Sequence, residues 1–300
     1  MSARRKRVVV TGGSGRLGRY VLAEFAGAHD VLNADLGPRA GGPDVAYRRT
    51  DILEPDALAA AFEGADAVVH LAGIDYDWAD DATTCVRVNT MGCWNVLQVA
   101  REQGVARVVV CSSVAATGLH ELRAGWTPIR LPIDDTHPSR PVDPYGISKA
   151  LVEVIARGFA DASGPDVVCL RPCAVVFPEN LHTFLHPAAG GPRTLYDYVT
   201  AEDVARAFRA AVETPTPTFG PYLLAAADSA HPEPTLDWYA RDVGELPADT
   251  DLDRFARDPH AGAVRADAAR EALGWEPRGR FADLIARHDY TVTLDQRRKS

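Results

Sequence analysis

The sequence predicts an α/β protein built on a doubly wound parallel sheet, and three observations lead there. Between residues 7 and 172, short β-branched runs alternate with amphipathic helical patterns. The runs are apolar on both faces, as strands covered by helices above and below must be. The first run opens directly into a glycine-rich turn that leads into a helix. A chain of 300 residues, 46% hydrophobic and 24% charged, is globular and long enough for one large domain or two closely joined ones.

The strands are read at Arg7–Thr11, Asp30–Ala34, Ala67–Leu71, Ala106–Cys111 and Asp166–Arg171. The helix after Gly15 carries Leu17, Val21, Leu22 and Phe25 on one side, and two longer helices cover about 82–102 and 144–162. Beyond Pro172 the pattern changes to Pro- and Gly-rich loops, among them Pro187–Pro192, Pro215–Pro217 and His231–Pro234. A helix over about Glu202–Glu213 and a strand over Pro221–Ala225 are expected to return to the main sheet.

Charge and cysteine content exclude several classes. Thirty-two Lys and Arg against forty-one Asp and Glu leave a formal charge of −9, which argues against nucleic acid as a partner. Five cysteines (Cys85, Cys93, Cys111, Cys169, Cys173) show no Cys-x-x-Cys spacing and read as reduced, mostly buried thiols. His182 and His186 sit at a metal-like interval, but no acid lies between them and no third ligand is evident, so no metal is expected. No stretch approaches the roughly 20 apolar residues that span a bilayer. The apolar run behind the basic start is only Val8–Val10, too short for an export leader, so a cytoplasmic location is expected.

Thr11-Gly12-Gly13-Ser14-Gly15-Arg16-Leu17-Gly18 has a Gly-x-x-Gly-x-x-Gly spacing between strand and helix. Gly12 suits a sharp turn, Gly15 lets backbone amides approach a pyrophosphate at the positive end of the helix, and Gly18 lets helix and strand pack closely. Asp35 ends the second strand twenty residues after Gly15, where a carboxylate accepts hydrogen bonds from an adenosine ribose. These features point to a Rossmann fold holding NAD. NADP is less favoured, since its extra phosphate meets the charge of Asp35, although Arg16 and Arg39 stand near enough in sequence to pair with it. Asp51-Ile52 either receives the adenine ring or, in the case of Asp51, caps the helix that follows. The expected organisation is residues 1–172 as the NAD-binding domain and 173–300 as a substrate-binding region, with about 197–227 returning to the sheet.

Tyr145-Gly146-Ile147-Ser148-Lys149 places Tyr145 and Lys149 one helical turn apart on one face. An ammonium beside a phenol stabilises the phenolate, so Lys149 is expected to lower the pKa of Tyr145 toward neutrality for acid/base work. Val108-Val109-Val110-Cys111-Ser112-Ser113 is a buried strand whose C-terminal end belongs beside a bound nicotinamide. Ser113 there reads either as a hydroxyl that holds a reacting oxygen or as an ordinary turn hydroxyl. Cys111 reads as strand packing, because no base is identifiable near it.

With these motifs the chain resembles the extended short-chain dehydrogenase/reductase family, the NAD-dependent epimerases, dehydratases and dehydrogenases of sugars. The likeness continues through His70-Leu71-Ala72-Gly73, Asn89-Thr90-Met91-Gly92, Asn95-Val96-Leu97, Leu170-Arg171-Pro172, Asp197-Tyr198-Val199, Glu202-Asp203-Val204-Ala205 and Leu273-Gly274-Trp275-Glu276-Pro277. It implies that Tyr145 is the acid/base, that Lys149 holds the nicotinamide ribose and tunes Tyr145, that Ser113 orients the substrate oxygen and that Asn89 supports the site. It implies NAD contacts from Gly12, Gly15, Arg16, Leu17, Gly18, Asp35, Asp51, Ile52, Leu71, Ala72, Gly73, Asn89, Tyr145 and Lys149. Asp75, Ser112, Ser113, Tyr145 and Arg171 are the candidate substrate contacts, Arg171 being equally readable as an ion-pair partner.

The implied reaction is NAD-dependent interconversion of a secondary alcohol and a ketone on a small polyhydroxylated substrate. The alternatives are a sugar epimerase that retains its cofactor and a non-catalytic NAD-sensing regulator. Val114 and Ala115 stand where dehydratases carry an Asp-Glu pair, which argues against dehydration. Only 25 residues separate Pro172 from Asp197, too few for a nucleotide-sugar pocket, so the chain resembles the compact uronate dehydrogenases. Those enzymes grip a carboxylate with polar residues after the site serine, which Val114 and Ala115 cannot do. Ile74–Asp81 is acidic and contains Tyr76 and Trp78; it either borders a neutral or amine-bearing polyol or is a solvated loop. Relatives pair the two long helices across a two-fold axis, which implies a homodimer; Val96, Val99 and Leu151 fit that contact or each subunit's own core.

Overall fold

Seven parallel strands organise the protein, which is described here from a computed structural model covering residues 5–38, 43–75, 81–120, 122, 125–162, 164–185, 195–215 and 219–287. In chain order the elements are β1 (Arg7–Thr11), α1 (Gly18–Ala26), β2 (Asp30–Asp35), β3 (Ala46–Arg49), α2 (Pro55–Phe62), β4 (Ala67–His70), α3 (Ala82–Glu102), β5 (Arg107–Cys111), β6 (Arg130–Leu131) and α4 (Pro144–Asp161). There follow β7 (Asp166–Pro172), β8 (Ala174–Val176), α5 (Leu181–Leu185), β9 (Tyr198–Thr200), α6 (Ala201–Glu213), β10 (Tyr222–Leu224), α7 (Thr235–Asp242), β11 (Asp249–Thr250), α8 (Leu252–Arg257), α9 (Asp267–Leu273) and α10 (Phe281–Arg287). The main sheet runs β10-β7-β5-β4-β1-β2-β3, so the winding reverses between β1 and β4. Ligands of such sheets sit at that reversal, outside the strand carboxyl ends.

Alternation along the strands assigns each side chain to a layer. Val8 and Val10 of β1, Val69 of β4 and Val109 of β5 face α1 and α6, packing with Phe25 and Phe208. Val9, Val68, Val108 and Val110 face the opposite layer, where Phe62 of α2, Leu97 of α3 and Phe159 of α4 meet them. All four β1 residues from Val8 to Thr11 are buried, as a strand covered on both faces requires. The long helices start on side-chain caps: the Asp81 carboxylate accepts the Thr84 N–H at 2.7 Å for α3, and Asp143 accepts the Gly146 N–H at 2.7 Å for α4, with Pro144 as its first residue.

Two strands differ from what the hydrophobic pattern of the sequence offers. All four residues of β3 are exposed, so this edge strand has no apolar periodicity to announce it. β4 ends at His70, one residue early, because the Leu71 and Ala72 N–H groups both turn onto the Thr11 carbonyl at 3.0 and 3.1 Å. Beyond Pro172, β10 adds to the sheet beside β7, with Tyr222 opposite Leu170. The largest apolar cluster runs from Val8 to Trp275 and includes Trp238 and Tyr239, so residue 172 divides sequence character but not the core. Asp203 ties the closing segment down: its carbonyl accepts the Trp275 indole N–H at 2.8 Å and its carboxylate accepts the Arg278 and Gly279 N–H groups at 3.0 and 2.8 Å.

Candidate functional site

The glycine turn is shaped by backbone crowding at the β1/β4 reversal. Gly12 has φ +74°, and a Cβ on it would lie 2.5 Å from the Ala72 nitrogen, so a side chain there has neither a comfortable backbone nor room. A Cβ on Gly18 would lie 2.4 Å from the carbonyl oxygens of both Gly12 and Gly13, which is how closely α1 starts against the turn. Gly15 is exposed, and a Cβ there would meet only the Gly12 oxygen, at 3.1 Å. Its N–H closes the turn on the Gly12 carbonyl at 3.1 Å, and its outer side is exposed beside the positive end of α1. Leu17 is half-buried at the helix start. The Arg16 guanidinium lies over the Phe177 ring at 5.3 Å, and Arg19 pairs with Glu179 at 2.8 Å, so the segment after β8 reaches this turn.

Asp35 is aimed at the same place. Its Oδ2 accepts the Ser14 N–H at 2.9 Å and its Oδ1 accepts the Leu36 N–H at 2.6 Å. Asn33 donates to the Ser14 hydroxyl at 3.0 Å, bracing the turn from β2. Asp51 accepts the Leu53 N–H at 2.9 Å in a turn before α2, while Ile52 is buried below it. A Cβ on Gly92 would lie 2.3 Å from Ile52 Cδ1, and Asn95 donates to the Ile52 carbonyl at 3.0 Å, so α3 fixes this pair. Arg39 lies outside the described residues.

At the end of β5 a second group of side chains converges. Lys149, almost fully buried, donates from Nζ to the Cys111 carbonyl at 2.9 Å and stands 5.6 Å from the centre of the Tyr145 ring. The Ser113 hydroxyl interacts with the Tyr145 phenol and also accepts the Ala115 N–H at 3.2 Å, capping a short 3-10 turn, Val114–Thr117. Asn89 is buried and accepts the Ile74 N–H at 2.7 Å, while its amide donates to the Ile74 carbonyl at 2.9 Å and the Ser148 hydroxyl at 2.8 Å. A Cβ on Gly73 would lie 3.0 Å from Asn89 Oδ1 and 3.7 Å from Lys149 Nζ. The loop after β4, α3 and α4 therefore close on one point. Leu71 and Ala72 are half-buried beside it and Asp75 is exposed.

Electrostatics correct one expectation. Burial pushes the Tyr145 phenol above its ordinary value; Lys149 pulls it down, Cys111 and Asp75 push it up, and the Ser113 hydroxyl pulls it down, leaving a net rise. Helical spacing predicts the neighbour but not the desolvation, and desolvation prevails. Lys149 is itself lowered by burial but raised more by Tyr145 and neighbouring thiols, so it stays an ammonium. His70, bonded through Nδ1 to the Thr11 hydroxyl at 2.8 Å, is held at a pKa of about 3 by burial and then by Lys149, and is neutral.

Two candidate substrate contacts are engaged on a buried carboxylate. Arg171 is buried and grips Glu153 with two bonds, Nε to Oε1 at 2.7 Å and Nη2 to Oε2 at 2.6 Å, which is the ion-pair alternative. Ser112 is buried and donates to Glu153 Oε1 at 2.5 Å, so its hydroxyl faces inward. Both are withdrawn from solvent because they satisfy a buried carboxylate. Val114 and Ala115 are buried and apolar. Tyr76, Trp78 and His186 lie outside the described residues. Among the described residues no cluster of three or more His, Cys, Asp or Glu is arranged to hold a metal ion, and no helix is long and apolar enough to cross a membrane. Glu153 was missed by sequence reasoning, although it stands four residues after Lys149. Asn33, a polar residue inside a buried strand, was the available signal for the brace on Ser14.

The model of the NAD dependent epimerase/dehydratase family matches residues 8–223. The chain belongs to this family. Within it, the chain is 33% identical over 171 residues to an L-arabinose 1-dehydrogenase (NAD(P)(+)) of Haloferax volcanii, covering 55% of this chain and 65% of that protein. It is 29% identical over 168 residues to a uronate dehydrogenase of Pseudomonas putida, covering 55% of this chain and 59% of that one. The match thus spans about three fifths of these relatives' length. Among solved structures, a short-chain dehydrogenase/reductase superfamily protein of Agrobacterium tumefaciens with bound NAD has the same fold: the TM-score is 0.70 at 22% identity, over 94% of this chain and 95% of that one. The residues present fit the family's cofactor, since Gly15 exposes a side-chain-free surface on the same turn that the Asp35 carboxylate holds through Ser14.

Gly12→Ala is expected to cost about 3 kcal/mol or more in denaturant unfolding, from positive φ and overlap with Ala72, and to weaken NAD binding at least tenfold in a fluorescence titration. His70 predicts a pH effect. Unfolded, the ring protonates below about 6.5, while in the fold it resists protonation to about 3. Unfolded chains then bind the extra proton between these values, so stability falls as pH drops through that window. Thermal melts followed by circular dichroism should show this fall, and His70→Asn should make it shallower.

Proposed function

We propose that this family member is an NAD-dependent oxidoreductase that interconverts a secondary alcohol and a ketone, or a lactone at a ring hemiacetal carbon, on a small neutral sugar. The observation that carries the reading is the buried Lys149 ammonium, fixed on the Cys111 carbonyl, beside a Tyr145 phenol that the Ser113 hydroxyl meets. Gly12, Gly15, Arg16, Leu17 and Gly18 would hold the dinucleotide's pyrophosphate and Asp35 its adenosine ribose. Asp51 and Ile52 would border the adenine, and Leu71, Ala72, Gly73, Asn89, Tyr145 and Lys149 the nicotinamide end. NAD bound there supplies the hydride acceptor.

The protein's own part is proton transfer and placement. Ser113 holds the reacting oxygen, Tyr145 as phenolate takes the hydroxyl proton, and Lys149 stabilises the phenolate charge. A neutral substrate is favoured by what surrounds Tyr145. Asp75 is close enough to raise its pKa, and Val114 and Ala115 offer no cation for a carboxylate. A second copy of the chain is the partner we propose for the outer faces of α3 and α4, where Met91, Trp94, Ile147, Leu151 and Val154 are exposed while Val96 and Val99 belong to the core.

Tyr145→Phe is expected to lower turnover at least about 100-fold, measured as NADH formation across a panel of free sugars, uronates, cyclitols and amino-polyols. Neutral sugars should exceed uronates in kcat/KM by about tenfold or more, and kcat/KM for oxidation should still climb above pH 9, because the base form of a raised phenol grows with pH. Substrate turnover without NADH release identifies the epimerase instead, and binding of NAD with no turnover by any panel member identifies a sensor. Leu151→Glu with Val154→Glu should halve the mass seen by light scattering; a monomeric parent overturns the dimer.

A further inference from the structure

Ser112 and Arg171, both buried, meet on one carboxylate whose place in the helix is informative. Tyr145, Lys149 and Glu153 follow one another at four-residue steps along α4, so they share a side of the helix. Each meets one of three successive residues where β5 ends. Lys149 donates to the Cys111 carbonyl at 2.9 Å, Glu153 receives the Ser112 hydroxyl at 2.5 Å, and Tyr145 meets the Ser113 hydroxyl. Arg171 of β7 holds Glu153 from the far side with its bonds of 2.7 and 2.6 Å. The backbone completes the frame, since the Ser112 N–H donates to the Leu170 carbonyl at 2.7 Å.

We infer that Glu153, clamped by Arg171, is a positioning residue that fixes Ser112 and thereby sets the Ser113 hydroxyl against Tyr145. The inference rests on the proposed function, in which Ser113 and Tyr145 handle the reacting oxygen and its proton.

Burial and geometry support a positioning task over a purely cohesive one. A buried ion pair is weak as a stabiliser, since desolvation cancels most of its attraction, and an apolar pair of like volume packs as well. What an apolar pair cannot do is accept the Ser112 hydroxyl along a fixed direction. Ser113 leaves β5 extended (φ −160°, ψ 154°) and caps the 3-10 turn by accepting the Ala115 N–H at 3.2 Å, so the direction of its hydroxyl depends on where the end of β5 delivers the residue. The Ser112 side chain, one residue earlier, is then the lever through which α4 controls that orientation. Displacement of a reacting group by about 1 Å is enough to lower a rate about 100-fold. The charged and titratable groups facing Tyr145 are Lys149, Cys111 and Asp75, and those facing Glu153 are Arg171 and Cys169.

The test compares Ser112→Ala, Glu153→Gln and their double variant with the parent and with Tyr145→Phe, using NAD and the best sugar of the panel. Ser112→Ala leaves the Glu153–Arg171 pair intact and serves if Glu153→Gln fails to fold. The expected result for Ser112→Ala is a fall in kcat of about tenfold or more with KM and the NAD dissociation constant within about twofold of the parent. Loss of the Ser113 contact also weakens a bond that stabilises the phenolate, so the pH profile for oxidation should move upward by about half a unit. Hydrogen exchange over residues 112–117 should quicken in the protein without cofactor. Where Glu153→Gln folds, the double variant should be no slower than the slower single one, as for residues acting in one chain of contacts. A Ser112→Ala protein that melts earlier but keeps the parent's kcat and pH profile overturns the positioning role while an inactive Tyr145→Phe leaves the function standing. Parental turnover by Tyr145→Phe overturns both.

Discussion

The close approach of two backbones at the β1/β4 reversal governs the remainder of the molecule. Gly12 passes so near Ala72 that the turn and the loop after β4 behave as one surface, sealed by two N–H groups on the Thr11 carbonyl. From that contact the glycine turn inherits its direction toward Asp35, and Gly73 is carried to Asn89 and Lys149. Neither half of the site would face the other if these strands diverged in a different place. The sheet supplies this because its winding order reverses there, with separate crossover connections leaving to opposite faces.

Much of this was legible in the sequence because it depends on local spacing. The glycine interval, the five buried strands and the four-residue step from Tyr145 to Lys149 each encode their own geometry. The edge strand β3 was not legible, since exposure on all four residues erases any apolar pattern. Arg171 carried two readings, and only tertiary structure could bring Glu153 to it from another element. The direction of the Tyr145 shift was misread for a related reason: a neighbour at helical distance is visible in sequence, whereas the depth at which both groups lie is not.

The buried polar groups near the site are arranged in short sets. His70 pairs with Thr11, Asn89 with Ile74 and Ser148, and Glu153 with Ser112 and Arg171. Each set joins two or more elements, so the polar atoms inside this core specify which strand lies against which helix, while the valines alone would tolerate several arrangements. Cys93, Cys111 and Cys169 fill the space among them as thiols whose pKa values are all raised by burial, which keeps them unreactive.

Arg16 over Phe177 and Arg19 paired with Glu179 form a clasp between the first turns beside α1 and the segment leading to α5. Both contacts are partly open to solvent, and such contacts contribute about 1 kcal/mol each at most. A fastening of that strength holds the two segments together only lightly. It also rests on charge, so dissolved ions loosen it. The glycine turn and the segment after β8 are therefore joined by contacts whose grip varies with the ionic strength of the surroundings.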